Sequence, residues 1–99
     1  MNATNTTNIK ELILPIILKY GVARVILFGS MARGDADENS DYDFLISKGR
    51  IRSLLQYMSF VGELEDALNS HVDVITDTSS DDTIIRTAMK EGILLYERS

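Results

Sequence analysis

The sequence predicts an α/β (α+β) fold in which a small mixed β-sheet is covered by helices. Short apolar runs typical of buried strands alternate with longer stretches of helical periodicity along the 99 residues. The predicted order is helix, strand, turn, strand, helix, strand, helix, which implies one sheet with helices packed against it. With 44% hydrophobic and 25% charged residues, residues 1–99 are expected to form a single domain.

Capping residues and helical spacing predict the first helix. Asn8 and Glu11 form a capping pair at its start, and Gly21 marks its end. Pro15 predicts a kink or a later start, because proline cannot donate a backbone hydrogen bond inside a helix. The predicted apolar side of this helix consists of Ile9, Leu12, Ile13, Ile16, Ile17 and Tyr20.

Two further helices are predicted in the second half of the chain. One covers residues 53–69 with a break near Gly62, and its predicted core side comprises Leu54, Leu55, Met58, Val61, Leu64 and Leu68. The other is capped by Asp81 or Asp82 and ends at Gly92. Its apolar residues are Ile84, Ile85, Ala88 and Met89.

Four short segments have the character of strands. Residues 24–28 (RVILF) are apolar and β-branched, and residues 42–46 (YDFLI) alternate in polarity. Residues 71–76 (HVDVIT) place an aspartate among apolar residues, and residues 93–96 could add a short edge strand. These strands account for the predicted sheet.

Composition limits the classes of partner and compartment. A formal net charge of −5 and a pI of about 4.7 argue against direct binding to nucleic acid, which normally requires a basic face. The absence of cysteine excludes disulfides and thiolate metal sites. The longest apolar stretch, residues 12–18, is too short to span a membrane and lacks the flanks of a signal peptide. We therefore expect a cytoplasmic protein without membrane contact.

Three aspartates suggest a metal site. Asp41 and Asp43 lie at i and i+2 at the head of a predicted strand, so their carboxylates point to the same side. If Asp73 lies on a neighbouring strand and faces the same way, the three carboxylates suffice for two Mg²⁺ ions about 3.5–4 Å apart. Such a pair of metals supports in-line displacement at phosphorus.

A turn upstream of the aspartates has features of a phosphate site. Gly29 allows the backbone to approach a ligand closely, Ser30 adds a hydroxyl donor, and Arg33 supplies a cation. A short helix that begins at Ser30 would also direct free amides at a phosphate. Together with the aspartates, this turn predicts phosphoryl or nucleotidyl transfer.

Purely structural interpretations also exist for these residues. An isolated Asp-x-Asp is more often a solvated turn or strand end than a metal site. His71 is interpreted as a strand-edge residue, because no nearby nucleophile completes a triad. A solvated loop is predicted for Asp35, Asp37 and Glu38.

Two common motifs fail at defining positions. Residues 29–34 have the glycine spacing of a P-loop, but Asp35 and Ala36 stand where lysine and Ser or Thr are required. Alternate residues from 35 to 43, four aspartates and Asn39, imitate the spacing of a calcium loop, but Ser40 replaces its glycine and Ile46 replaces its bidentate glutamate. Neither motif explains the segment.

The chain resembles the minimal nucleotidyltransferases of the polymerase-β-like superfamily. Three separated motifs carry the resemblance, namely LFGSMARG at 27–34, SDYD at 40–43 and VDV at 72–74. The resemblance extends over nearly the whole chain and implies the polymerase-β-like nucleotidyltransferase fold. It implies an adenylyltransferase that uses ATP and two Mg²⁺ ions.

The resemblance also implies individual roles. Asp41 and Asp43 would bind both metals, while Asp73 would hold the catalytic metal and accept the proton of the attacking hydroxyl. Gly29 and Ser30 would hold the β- and γ-phosphates, with Arg33 as the nearby cation. Proteins of this branch typically act as antitoxins to a HEPN-domain RNase toxin, in some cases by adding AMP to one of its tyrosines.

Three hypotheses follow from different classes. In the first, the chain AMPylates a partner protein, which also completes a site that 99 residues are too few to enclose. In the second, it neutralises a toxin by binding alone. In the third, it is a nucleotidyltransferase for small molecules, a class that normally needs a second domain.

Overall fold

A computed structural model describes residues 6–34 and 41–98, with residues 6 and 7 described for their backbone only. It confirms the predicted fold class, because a mixed four-stranded sheet is packed against helices. The elements in chain order are α1 (Thr6–Tyr20), β1 (Arg24–Phe28), α2 (Ser30–Arg33), β2 (Tyr42–Ser47), α3 (Leu54–Leu68), β3 (Val72–Thr76), α4 (Asp82–Glu91) and β4 (Ile93–Glu97). The predicted loop with Asp35, Asp37 and Glu38, and Ser40 after it, lie outside the described residues.

The strands are arranged in the order β3-β2-β1-β4, so β4 is an edge strand as predicted. β1 is antiparallel to both of its neighbours, whereas β2 and β3 are parallel. Two parallel strands need a long connection, and α3 provides it. This arrangement places the first residues of β2 and β3 side by side.

The two faces of the sheet carry separate apolar clusters. On one face, α1 and α3 cover Leu27, Phe44 and Ile46. On the other face, Ala88 of α4 packs with Ile26 and Leu45. Because side chains alternate along a strand, Asp43 and Asp73 belong to the α4 face.

The predicted start of α1 was wrong. The helix already includes Thr6, so Asn8 lies inside it rather than at its N-cap, and it continues through Pro15 without a later start. Pro15 lies on the exposed side, where water can bind the carbonyl group that the missing amide would have bound. The buried residues Ile9, Ile13 and Ile17 recur every four positions, whereas Leu12 is 50% exposed.

The predicted core side of α3 was only partly right. Leu54, Leu55 and Met58 are 73%, 78% and 63% exposed, and the helix is not broken at Gly62. Apolar residues occur around most of this helix, so spacing alone does not select one side. Leu64 and Leu68 are buried as predicted, and Phe60, which was not predicted, completes the buried side.

Both ends of α3 are capped. The Ser53 hydroxyl accepts a hydrogen bond from the Gln56 amide, and the Gln56 side chain accepts one from the Ser53 amide. Asn69 ends the helix in the left-handed conformation, with a φ of 51°. These caps define where the helix begins and ends.

Asp81, one of the two predicted candidates, caps α4. Its carboxylate accepts a hydrogen bond from the Ile84 amide at 3.2 Å, and Gly92 ends the helix as predicted. Ala88 is fully buried, whereas Met89, predicted as a core residue, is 51% exposed. Thus α4 contacts the sheet along a narrow line.

Side chains of α3 cover the outer edge of β3. The Val72 amide donates to the Glu65 carboxylate at 3.2 Å, and the Tyr57 hydroxyl donates to the Val74 carbonyl at 2.8 Å. Such contacts satisfy backbone groups that an edge strand otherwise leaves free. Within the described ranges, no helix has the length and apolarity needed to cross a membrane.

Candidate active site

Asp43 and Asp73 lie directly opposite each other on the parallel strands β2 and β3. Each is the second residue of its strand, and both side chains face α4. The sheet therefore brings these two aspartates together, as predicted. Their proximity depends on the parallel pairing of β2 and β3, because antiparallel pairing would place the starts of the two strands at opposite ends of the pair.

Asp41 comes immediately before β2 and completes the group. Asp41, His71 and Asp73 each offer one ligand atom, and these atoms lie within 4.8 Å of one another. Asp41 and Asp43 are two residues apart, and the charges of Asp41 and Asp73 both act on the Asp43 carboxyl group. All three predicted aspartates thus lie in one site.

The environment of Asp43 disfavours its ionised form. Burial raises the pKa of this carboxyl group, and the charges of Asp73 and Asp41 raise it further. Arg33 acts in the opposite direction and lowers the pKa. Clustered carboxylates with one opposing cation are well suited to bind hard divalent cations, which take oxygen ligands. The donor set therefore fits Mg²⁺.

Gly29 lies against Asp43 at the end of β1. The preceding residue, Phe28, is paired with Asp43 in the antiparallel β1–β2 ladder. Gly29 has a φ of 78°, and a Cβ atom at this position would overlap the Asp43 carboxylate. A residue other than glycine would thus meet both backbone strain and a steric clash.

The predicted short helix at Ser30 is present as α2, one turn long. Ser30 is half-buried next to Gly29, and Arg33 is exposed at the end of this turn. Gly34 ends the turn with a φ of 82°. Gly29 lies against Asp43 and the charge of Arg33 acts on it, so both lie near the aspartates, and Ser30 follows Gly29 directly in the chain.

His71 was missed as a member of the site. Its Nε2 atom is 3.0 Å from Asp73 Oδ1, and its Nδ1 atom is 3.2 Å from Glu65 Oε2. The hydrogen bond with Asp73 is the main cause of the raised pKa of His71, and it outweighs the lowering by burial. The signal in the sequence was the i, i+2 spacing between His71 and Asp73, which predicts side chains on one face.

The fold and the carboxylate cluster define a nucleotidyltransferase. Residues 11–99 match the family described as polymerase beta, nucleotidyltransferase. The chain therefore belongs to the polymerase β nucleotidyltransferase family, and the family resemblance of its motifs is confirmed.

Two archaeal relatives are similar over most of their length. A Methanocaldococcus jannaschii protein with the provisional name protein adenylyltransferase MJ0435 is 42% identical over 90 residues, which cover 91% of each chain. Protein adenylyltransferase MntA of Thermococcus cleftensis is 36% identical over 75 residues, which cover 76% of each chain.

Solved structures share the fold at lower identity. A chain in a crystal structure of a toxin-antitoxin with AMP-PNP has a TM-score of 0.78 and 21% identity, covering 91% of the present chain and 74% of its own. A chain in the complex of tri-AMPylated Shewanella oneidensis HEPN toxin with MNT antitoxin has a TM-score of 0.72 and 17% identity, covering 94% and 73%. These similarities establish the fold.

Proposed function

We propose that this chain is a protein adenylyltransferase that transfers AMP from ATP to a tyrosine of a cognate HEPN-domain toxin and thereby acts as its antitoxin. The observation that carries the proposal is the convergence of Asp43 and Asp73 across two parallel strands, with Asp41 beside them. We further propose that residues 1–99 form one domain and act in the cytoplasm.

In the proposed reaction, the tyrosine oxygen attacks the α-phosphorus of ATP. The bond between the α-phosphorus and its bridging oxygen breaks, and pyrophosphate leaves. Asp73 accepts the proton of the tyrosine hydroxyl. Gly29 and Ser30 hold the β- and γ-phosphates, and Arg33 offsets part of their charge. Positioning and electrostatic stabilisation supply most of the rate enhancement in such reactions.

Two Mg²⁺ ions are part of the proposal. Asp41 and Asp43 would hold both ions, and Asp73 would hold the catalytic one. When bound, the ions supply charge neutralisation at the phosphates. The raised pKa of Asp43 supports this assignment, because a bound cation would relieve the repulsion among the carboxylates.

The choice of a protein as the acceptor rests on similarity and on charge. The two archaeal relatives bear the name protein adenylyltransferase, and one structural neighbour is a complex with an AMPylated HEPN toxin. The net charge of −5 disfavours tRNA or DNA as the acceptor.

Intact-mass spectrometry tests the proposal. A HEPN-domain protein from the same genome is coexpressed with the wild-type chain, with Asp43→Asn, or with the exposed control Asp66→Asn on α3. We expect the mass of one or more AMP groups on the toxin with the wild type and the control, and none with Asp43→Asn. An unmodified toxin with the wild type would contradict the proposal.

The same variants separate catalysis from neutralisation by binding alone. If Asp43→Asn protects cells from the toxin as well as the wild type does, occlusion is the mechanism. If protection is lost while the complex still forms on size exclusion, AMP transfer is required. Transfer to an aminoglycoside by the isolated chain would instead support a small-molecule substrate.

A further inference from the structure

A groove of about 710 Å³ lies between the start of α3 and the segment after β3. Leu54 and Tyr57 of α3 form one wall, and the second half of β3 forms the floor. Ser79 and Ser80 form the opposite side. Val74, which lines the groove, follows Asp73 directly on β3, but the two side chains point to opposite faces of the sheet, and none of the three aspartates lines the groove. The groove is therefore separate from the candidate active site.

The charge of this groove is opposite to that of the chain. Lys48 and Arg52 line it, Arg50 is exposed between them, and no residue that lines it is acidic. The whole chain has a net charge of −5, so three exposed cations within five residues form a local basic patch. Within the described ranges, these three side chains make no ion pair. Their charge remains available to a partner.

Exposed apolar side chains continue from the groove along α3. Leu54 is 73% exposed, Leu55 is 78% exposed and Met58 is 63% exposed. Leu54 and Met58 are four residues apart, so they lie one above the other on the same side of the helix. We call Leu54, Leu55 and Met58 the α3 ridge. Such a ridge beside a groove is typical of a protein-binding surface.

Backbone donors add to the polar character of the floor. The contacts of Val72 and Val74 with α3 show that the even-numbered residues of β3 direct their backbone groups away from β2. The amides of Val74 and Thr76 therefore point to the side of the groove. Cations together with amide donors favour an occupant that carries carboxylates.

We propose that this groove and the α3 ridge bind an acidic segment of the HEPN-domain toxin, with apolar side chains of that segment packed on the ridge. The inference rests on the proposed function for the identity of the partner. Charge complementarity favours an acidic segment of the partner, because the patch is basic although the rest of the chain is acidic. Docking beside the carboxylates, and not on them, leaves the active site free to receive the modified tyrosine.

Binding measurements without ATP test the docking site separately from catalysis. The purified HEPN-domain protein of the same genome is the probe. Lys48→Glu/Arg52→Glu removes the basic patch, and Leu54→Ser/Leu55→Ser removes most of the ridge. The matched controls are Lys10→Glu/Lys90→Glu, which alters two other exposed lysines, and Leu12→Ser/Leu18→Ser, which alters leucines that are 50% and 59% exposed on α1.

We expect both groove variants to bind at least about tenfold more weakly than their controls. The charge variant should associate with the toxin more slowly, and added salt should slow association of the wild type in the same way. The ridge variant should instead dissociate faster. Equal affinities for variants and controls would overturn the proposal, and so would a wild-type chain that does not bind the probe.

A photo-crosslinking residue identifies the occupant directly. Placed at Leu55, it should form a crosslink with an acidic segment of the HEPN-domain protein, whereas the same residue at Leu12 should not. A crosslink to a second copy of this chain, to a basic segment, or to nothing would overturn the proposal.

The two proposals fail in different ways. If the toxin binds through the groove but gains no AMP, the proposed activity is wrong and the docking site stands. If the toxin gains AMP and the groove variants bind as well as their controls, the docking site is wrong and the activity stands.

Discussion

The carboxylate of Asp43 occupies the space that a side chain at Gly29 would need. The two residues meet because β1 ends where β2 begins, in an antiparallel pair. Backbone geometry thus requires glycine at position 29, whereas the proposed metal binding requires a carboxylate at position 43. The contact connects the turn that is proposed to hold phosphate with the proposed metal ligands.

Gly29→Ala is therefore expected to lower AMP transfer at least about 100-fold, because a displacement of about 1 Å at a reacting centre has effects of that size. The positive φ adds a loss of about 1–3 kcal/mol in the free energy of unfolding. Mass spectrometry of the toxin and urea unfolding measure the two effects.

Gly34→Ala is the matched control for Gly29→Ala. Gly34 has a similar φ of +82°, but a Cβ atom there would meet nothing within 4 Å. This variant should keep the activity and lose less stability than Gly29→Ala, because ψ is 11° at Gly34, in the left-handed region, and −158° at Gly29, in a region nearly specific to glycine. Equal activity of the two variants would show that the contact with Asp43 is unimportant.

Asp43→Asn is expected to abolish AMP transfer and to stabilise the fold in the absence of divalent cations. The pKa of Asp43 is raised in the folded chain, so its ionised form destabilises the fold above that pKa and the effect disappears as the pH falls through it. Since Asp43 is partly solvated, we expect a gain of about 0.5–1 kcal/mol in urea unfolding with EDTA.

Mg²⁺ should reverse this order of stability. It should raise the stability of the wild type, because binding to the folded state alone stabilises it, and should have little effect on Asp43→Asn. Asp66→Asn, on the exposed side of α3, is expected to respond to Mg²⁺ as the wild type does. If Asp43→Asn is less stable than the wild type in EDTA, the burial and charge repulsion that raise the pKa of Asp43 do not govern its effect on stability.

Glu63 is expected to make stability depend on pH at the contact between α1 and α3. Its carboxylate accepts hydrogen bonds from Lys19 at 2.8 Å and from the Tyr20 hydroxyl, and these bonds lower its pKa. A lowered pKa in the folded state stabilises the fold above the ordinary value of 4.5, and this stabilisation is lost as the pH falls through the folded pKa.

The difference in unfolding free energy between the wild type and Glu63→Gln should thus be constant at neutral pH and shrink only below pH 4.5. Urea unfolding between neutral and acidic pH measures it. Glu11→Gln, at an exposed position of α1, serves as the control. A difference that grows with acidity would have the wrong sign.

Substitutions along α3 should separate its buried side from its exposed side. Phe60 is fully buried, so Phe60→Ala is expected to cost about 3–5 kcal/mol of stability. Leu55 is 78% exposed, so Leu55→Ala should change stability by no more than about 0.5 kcal/mol. Thermal or urea unfolding of both variants measures these losses. A loss for Leu55→Ala as large as that for Phe60→Ala would contradict this orientation of α3.

The strands and the aspartates could be predicted because their signals are local. Alternation at residues 42–46 fixed the side on which Asp43 lies, and the pattern at 71–76 did the same for Asp73. The proximity of Asp43 and Asp73 depends on the parallel pairing of β2 and β3, which the sequence indicated only through its resemblance to a family.

The exposed side of α3 and the contact between His71 and Glu65 could be identified only from the fold. Leu55 and Phe60 are equally apolar, and only the position of the sheet decides which of them is buried. His71 lies just before β3, and its contact with Glu65 joins positions on different elements. Periodicity within one segment carries no information on such contacts.

The hydrogen bonds of Glu65 and Tyr57 with β3 have a consequence for contacts between copies of this chain. Open strands stack edge to edge and seed filaments. Because side chains of α3 occupy the outward amide of Val72 and the outward carbonyl of Val74, stacking along β3 would first have to break these bonds. These two bonds therefore oppose self-assembly of the protein through β3.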